Sequence, residues 1–356
     1  MKIDDKTSHN SPSLRFPEFT GEWEKCKIED ITDAVSSGKS KNHFSNGEYN
    51  LYGSTGIIGR TDKALYDGKL VLVARVGANA GFLQIINEPC GITDNTLILK
   101  PKGIDAFYLY YFLQHFNLNR LIFGSGQPLI TGGMLKKVKV SLGTISEQSK
   151  IVKFLSLLDE RIAVQSRLID RLQSLMIGIR HRIINEAKGK IVCLCEVSDI
   201  YQPQTISSAD LTETGYPVYG ANGIIGHYTS YNHEAEQVCI TCRGNTCGGV
   251  NYTKSKSWIT GNAMVVNVDR YQNIVSKRYL YHYLSNCDFN SIISGSGQPQ
   301  IVRAPLAKFK IILPTVMQQY KIAHCLDVIQ NKINVNSNIL NLLIRQKQYL
   351  LRKMFI

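Results

Sequence analysis

Two distant stretches of the chain carry one hydrophobic rhythm. Ile151, Leu155, Leu158, Ile162, Gln165, Ile169, Leu172, Met176, Ile179 and Ile183 step alternately by four and three residues. Ile322, Leu326, Ile329, Ile333, Asn336, Leu340, Leu343, Lys347, Leu350 and Met354 repeat that spacing. Such a heptad pattern predicts two long helices that meet along a coiled-coil seam. Each series holds one amide, Gln165 or Asn336, at the same seam position. A buried amide there costs stability but fixes register and partner; the alternative is that both are solvent-facing breaks. The sequence "EAKG" ending at Gly189 supplies a C-terminal stop for the first helix.

Elsewhere the apolar period shortens to two. "LVLVARVG", "TLILK", "VCITCRG" and "AMVVNVD" read as strands, punctuated by Gly and Asn turns, with one aromatic helix-like stretch, "FYLYYFLQHF". A further strand-like run, "KKVKVSL" or "AKFKIILP", precedes each long helix. These regions are expected to be α+β domains with a substantial sheet.

The domains are copies of one another. "YGSTGIIGR" from Tyr52 returns as "YGANGIIGH" from Tyr219, and "ITDNT" from Ile92 returns as "ITGNA" from Ile259. "YLYYFL" from Tyr108 returns as "YLYHYL" from Tyr279, and "GSGQP" from Gly124 returns from Gly295. Order is kept throughout, which is the signature of duplication. Connectivity then constrains the helices. A helix of about 35 residues is ~50 Å long, so a parallel pair would force the second domain to span that length. An antiparallel pair lets that domain begin and end at one place. The expected fold is therefore α+β: two similar domains of mixed β-sheet with helices, separated by two long helices forming an antiparallel coiled coil with a pseudo-two-fold axis.

Composition narrows the partner. The 356 residues carry a formal charge of +13, spread without a long Lys/Arg block, which favours a polyanion met by a folded basic face. "MKIDDKTSHN" lacks the apolar core of a signal peptide, no apolar run approaches bilayer length, and nine cysteines sit at irregular spacings. A reduced, cytoplasmic location without membrane contact is expected.

Catalytic constellations do not assemble. None of the ten prolines adjoins another, so the Pro-Pro-aromatic step of an amino-methyltransferase is missing. "SSGKS" (Ser36 to Ser40) imitates the end of a phosphate-binding loop, but Asp33 stands where its first Gly belongs. "GSGQP" contains GxG, yet Leu129 or Gln300 replaces the third Gly of a dinucleotide fingerprint. The Glu186-Ala187-Lys188 match to a nuclease ExK lacks a Pro-Asp partner on a nearby strand. Cys239, Cys242 and Cys247, with His227 and His233 upstream, could suggest zinc, but the equivalent positions of the first copy are Leu72, Arg75 and Ala80. Buried free thiols and no metal are the expectation.

Two diverged basic domains at a fixed separation suit two different patches of a duplex. On "LRFPEFTGEWE", the "YGSTGIIG" and "YGANGIIG" blocks, "ARVGANAG", the paired "GSGQP" loops and "EQSKIVKFLSLLDERI", the chain resembles the specificity subunit of a Type I restriction-modification enzyme over essentially its full length. The resemblance implies an N-terminal tail (1–20), a first target-recognition domain (21–145), a first spacer helix (146–187), a second recognition domain (188–315) and a second spacer helix (316–356). It also implies a non-catalytic DNA-binding role in bacterial defence, each domain reading half of a split asymmetric target. Two modification subunits would methylate adenine N6 with S-adenosylmethionine, and restriction subunits would add ATP- and Mg-dependent translocation and cleavage. "CRGNTCGG" replaces "RVGANAGF", and "VMQQYKIAHCLDVI" replaces the acidic-glutamine start of the first helix. A rival reading is a stand-alone DNA-binding regulator or anti-restriction decoy that forms no active enzyme.

Positions shared between copies should build the fold; positions that differ should choose sequence. The shared glycines, Gly53, Gly56, Gly59, Gly124 and Gly126 with Gly220, Gly223, Gly226, Gly295 and Gly297, are expected to serve turns. Candidate DNA contacts are Lys39, Lys41, Ser54, Thr55, Arg60, Arg75 and Asn79 in the first copy. In the second they are Gln204, Asn222, His227, Arg243, Asn245, Thr246, Lys254 and Lys256. Arg and Lys can pair with guanine and Asn or Gln with adenine, while isolated lysines suit phosphate. Arg161, Arg167, Arg171, Arg180 and Arg182, with Lys332, Arg345, Arg352 and Lys353, could meet spacer phosphates. Phe154 and Leu157, outside the seam, are candidates for docking modification subunits.

Overall fold

The computed structural model describes residues 10–41, 46–122, 128–295 and 297–356. The chain divides into two units: Met1–Ser166 with Asn338–Ile356, and Arg167–Ser337.

In the first unit the strands are β1 (Glu24–Lys27), β2 (Thr32–Ser37), β3 (Tyr49–Gly53), β4 (Gly56–Thr61), β5 (Lys69–Ala74), β6 (Leu83–Asn87), β7 (Cys90–Ile92) and β8 (Thr96–Pro101). Helices α1 (Ala106–Phe116) and α2 (Gly132–Lys136), strand β9 (Lys139–Leu142) and the long helix α3 (Ile145–Glu186) follow. A four-stranded antiparallel sheet runs β2-β8-β5-β6, and a second sheet runs β4-β3-β7 with β3 and β7 parallel. β1 pairs with β9.

The second unit repeats this plan. After β10 (Lys190–Cys193) come β11 (Asp199–Tyr201), β12 (Tyr216–Gly220), β13 (Gly223–Tyr228), β14 (Val238–Thr241), β15 (Val250–Tyr252), β16 (Trp258–Ile259) and β17 (Ala263–Asn267). Helix α4 (Lys277–Leu284), hairpin β18 (Ile293–Ser294) and β19 (Gln300–Ile301), helix α5 (Arg303–Ala307), β20 (Lys310–Leu313) and long helix α6 (Val316–Met354) complete it. The orders β11-β17-β14-β15 and β13-β12-β16, with β12 and β16 parallel and β10 paired with β20, match the first unit strand for strand. Duplication of sequence is duplication of topology.

Each four-stranded sheet is apolar on both faces, as a sheet covered on both sides must be. In the first unit Val71, Val73, Leu97 and Leu99 pack with Tyr108, Leu109 and Phe112 of α1. The same core takes in Ile151, Leu155 and Leu158 of α3 and Leu343, Leu350 and Met354 of α6. The other face buries Leu70, Leu72, Ile92 and Ile98. In the second unit Val238, Ile240, Met264 and Val266 pack with Tyr279, Leu280 and Leu284 of α4, Ile184 of α3 and Ala323 of α6. Asp105 caps α1 by accepting from Phe107 N–H, and Ser276 caps α4 by accepting from Tyr279 N–H.

The seams hold where periodicity puts them. Within the first unit the opening turns of α3 share a core with the closing turns of α6; within the second the closing turns of α3 share one with the opening turns of α6. That pairing is antiparallel in each unit. All twenty seam positions are buried or half-buried, Gln165 and Asn336 among the half-buried ones. Asn336 donates to the Lys332 carbonyl at 2.6 Å. Lys347, the one charged seam residue, is 2.6 Å from Asp159.

Candidate nucleic-acid interface

In each unit four loops that are distant in sequence close on one another through backbone and side-chain hydrogen bonds. In the first, the β3–β4 turn (residues 54–55) is bound when Ser54 Oγ donates to Asn95 O at 3.3 Å. Gln84 Nε2 donates to the Gly53 and Ser54 carbonyls at 2.9 and 3.2 Å. The loop after β5 joins the same cluster: Arg75 N–H donates to Asn95 O at 2.9 Å, and Gly77 N–H to Pro128 O at 3.0 Å. In the second unit Thr241 Oγ1 donates to Ala221 O, Cys242 N–H to Asn262 O at 3.0 Å, and Gly244 N–H to Pro299 O at 3.0 Å. The described residues of the repeated sequence blocks therefore line one site, built twice.

Glycine is required where these loops turn. Gly56 and Gly223 close the hairpins at φ of +130° and +92°, and Gly77 and Gly244 open the tight loops at +79° and +85°. Gly295 begins the second "GSGQP" turn at +95°, between β18 and β19. Its counterpart Gly124, with Gly126 and the rest of the first "GSGQ", lies outside the described residues.

The candidate contacts divide by position. Ser54, Thr55, Arg75 and Asn79 meet in the first cluster, and Asn222, Arg243, Asn245 and Thr246 in the second. Thr55, Asn79, Asn222, Arg243, Asn245 and Thr246 are exposed. The two arginines are not equivalent. Arg243 corresponds to Val76 and projects from an exposed backbone bridge to Gln300, whereas Arg75 corresponds to buried Cys242 and is half-buried.

The remaining candidates make other contacts. Lys39 and Lys41 line a shallow groove with Thr61, Lys63 and Leu65. Arg60 is occupied by its own hairpin, donating to Gly47 O at 2.5 Å and Glu48 O at 2.7 Å. His227 sits half-buried opposite Pro217 in β13. Exposed Gln204 accepts from Trp258 Nε1 through its carbonyl at 3.3 Å. Lys256 pairs with Glu234 at 3.8 Å, and exposed Lys254 borders a polar groove with Glu236, Tyr252 and Arg278. Phe154 and Leu157 are 40% and 58% exposed on α3, and Phe154 meets the Phe16 ring edge-on at 6.0 Å. Of the helix basic residues, Arg180 is half-buried and the others are exposed.

The motifs weighed for other chemistry have structural uses. In "SSGKS", Gly38 N–H donates to Thr96 O at 3.0 Å and Ser40 N–H to Ile92 O at 2.9 Å, tying the segment to the sheet. Cys239 and Cys242 fall into different cores, on opposite sides of the second sheet. Burial pushes the Cys239 thiol up to about 12, so it stays protonated. His233 is held as a neutral ring: Asn232 Oδ1 lies 2.6 Å from Nδ1 and also accepts from Ile259 N–H, so Nδ1 is the donor and Nε2 accepts from Tyr201 Oη at 2.9 Å. Among the described residues no cluster of His, Cys, Asp or Glu could hold a metal ion, and no helix is long and apolar enough to cross a membrane.

Sequence reasoning passed over the apolar pairs beside these loops. Ile57 and Ile58 are 56% and 46% exposed, and Ile224 and Ile225 47% and 48%. Their signal was present as an identical pair in both copies.

The chain thus carries one loop-built candidate site in each of two duplicated α+β domains. The family described as Type I restriction modification DNA specificity domain matches residues 20–174 and again residues 187–345, so the chain belongs to that family. It is a Type I specificity subunit with two recognition domains. Over 148 residues it is 31% identical to the EcoprrI specificity subunit of Escherichia coli, a match spanning 40% of this chain and 36% of that one. A relative named as a Type I restriction enzyme specificity subunit of Haemophilus influenzae is 21% identical, with 92% of each chain covered. The crystal structure of the S subunit of a Type I system from M. genitalium shares the fold, with a TM-score of 0.72 at 18% identity over 97% of this chain and 99% of that one. A chain from a Type I system solved for complex assembly and conformational transition gives 0.54 at 14% identity, over 95% and 98%.

Proposed function

We propose that each recognition domain reads one half of a split, asymmetric double-stranded DNA target, and that the long helices set the unread spacer and dock two modification subunits. The observation that carries this reading is one loop cluster built twice on one backbone plan with different side chains at its rim. Val76, Ala78 and Asn79 in the first copy stand where Arg243, Asn245 and Thr246 stand in the second. Arg and Asn can bond base edges in the major groove, and Val cannot. Two such clusters call for two different half-sites. Within the assembled enzyme S-adenosylmethionine would serve the modification subunits, and ATP and Mg the restriction subunits. Exposed Phe154 and Leu157 suit a protein contact, while Lys39, Lys41 and the exposed helix arginines suit phosphates. The test is modified-base sequencing of a methylation-free host expressing this chain with its modification subunit. A bipartite motif methylated on adenine supports the reading; a stable complex without methylation refutes it.

A further inference from the structure

The exposed isoleucine pairs owe their exposure to a specific backbone device. In a regular strand neighbouring residues face opposite sides, so one isoleucine of each pair would turn inward. Here Leu51 pairs with Gly59 and Tyr52 with Ile57, which leaves Ile58 as an extra residue in β4. Val218 pairs with Gly226 and Tyr219 with Ile224, which leaves Ile225 extra in β13. A bulge re-aims side chains in this way. Gly53 and Gly220 then make room: a Cβ on either would come within 2.8 Å of Ile58 or 2.9 Å of Ile225. Glycine, turn, positive-φ glycine, bulge and two outward isoleucines occur in both domains, while the turn residues between them differ, Ser54-Thr55 against Ala221-Asn222.

Shared positions that build the fold are packed, whereas these four isoleucines are shared and exposed, so they suit something that two different half-sites have in common. Isoleucine gains nothing from phosphate, and a base-edge code would have diverged with the turns. Base faces and sugar walls are common to every DNA sequence, and apolar side chains beside polar, basic loops can wedge between base steps and unstack them. The loops around the second tip (residues 220–225, 242–249, 260–262 and 297–300) carry Arg243 and no acidic residue, and the matching loops of the first carry Arg75 and a single acid, Asp94, so neither tip presents a strongly negative face to the duplex. A target adenine must also leave its stack before its N6 can be methylated, and a wedge in each half-site lowers that cost. We infer that Ile57-Ile58 and Ile224-Ile225 are sequence-independent apolar wedges that partly unstack DNA, one in each half-site. This rests on the DNA-reading function proposed above.

The test uses the chain assembled with its modification subunits and a duplex carrying the motif found by methylation mapping, with 2-aminopurine placed step by step through each half. Wild-type complex should raise the fluorescence at one step per half-site. Ile224→Thr with Ile225→Thr keeps β-branched residues and is expected to abolish the rise in one half only and weaken binding by about tenfold, with Leu at both positions restoring it. Unchanged affinity and fluorescence would overturn the wedge. Failure of the Thr variant to co-elute with the modification subunits would also overturn it, because the tips would then be protein docks. A wild-type complex that shows no preference for the motif would refute the DNA-reading function itself.

Discussion

Lys347 Nζ lies 2.6 Å from Asp159 Oδ1, and the same ammonium stands 5.3 Å from the centroid of the Tyr111 ring. Asp159 also accepts from Tyr111 Oη at 2.8 Å. A charge in an apolar seam is thus answered by a carboxylate on α3 and an aromatic face on α1, joining both long helices to the recognition domain. Side-chain exposures of 16% and 34% place the pair where solvent screens it only partly. Lys347→Ala and Asp159→Ala should each cost about 1–2 kcal/mol of stability in denaturant unfolding. The double variant should cost less than their sum.

The equivalent junction of the second unit makes stability depend on pH. His282 is fully buried and donates from Nε2 to Asp327 Oδ1 at 2.7 Å, while Arg278 Nε donates to both Asp327 oxygens at 3.0 Å. Burial pushes His282 down to about 4, the Asp327 carboxylate notwithstanding. An unfolded histidine gains its proton near 6.5, so between about 6.5 and 4 the unfolded state binds more protons and stability falls as pH falls, by roughly 3 kcal/mol at most. Burial alone would raise Asp327, but hydrogen bonds from Arg278 and His282 hold it below its ordinary value, so its contribution is lost only at still lower pH. Unfolding followed from pH 7 to pH 4 should show this slope, and His282→Gln should flatten it.

Gly38 sits where a Cβ would lie 2.3 Å from the carbonyl oxygens of Ile92 and Thr93. Both obstacles are backbone atoms in or beside a sheet, so they cannot step aside. Gly38→Ala should therefore destabilise the first unit by about 2–4 kcal/mol, read as an earlier urea midpoint. Gly103 is the opposite case: its φ is positive (+68°) but nothing lies within 4 Å, so Gly103→Ala should cost only about 1 kcal/mol of backbone strain.

Glu147 is fully buried on α3 and takes hydrogen bonds from Arg15 at 2.6 and 2.7 Å and from Trp23 Nε1 at 3.1 Å. Replacing it with Ala leaves Arg15 and the indole N–H without their acceptor. Glu147→Ala is expected to cost about 3 kcal/mol or more, with Trp23 fluorescence reporting the loosened N-terminal segment before global unfolding.

What the sequence disclosed follows the range of each signal. The seams were legible because a heptad is local and survives one charged member such as Lys347. The duplication was legible because order and spacing persist. Sites assembled from four separated loops left only partial traces. Arg75 and Arg243 are both arginines in the matching loop, yet one register step leaves the first half-buried and the second exposed. Arg60 is exposed, and its guanidinium also donates to carbonyls of its own hairpin, which no side-chain pattern announces. Ile58 and Ile225 are outward-facing through a bulge, and a bulge is set by pairing across strands rather than by the strand's own residues.

If each domain reads its own half of the target, a change at one loop cluster alters one half alone. The most direct measurement is a genome-wide map of methylated adenines for the wild-type chain beside Arg243→Ala, each expressed with the modification subunit in a methylation-free host. The expected result is a bipartite motif whose one half is relaxed or lost in the variant while the other half and the spacer stay fixed. A contiguous motif, or equal loss at both halves, would contradict it.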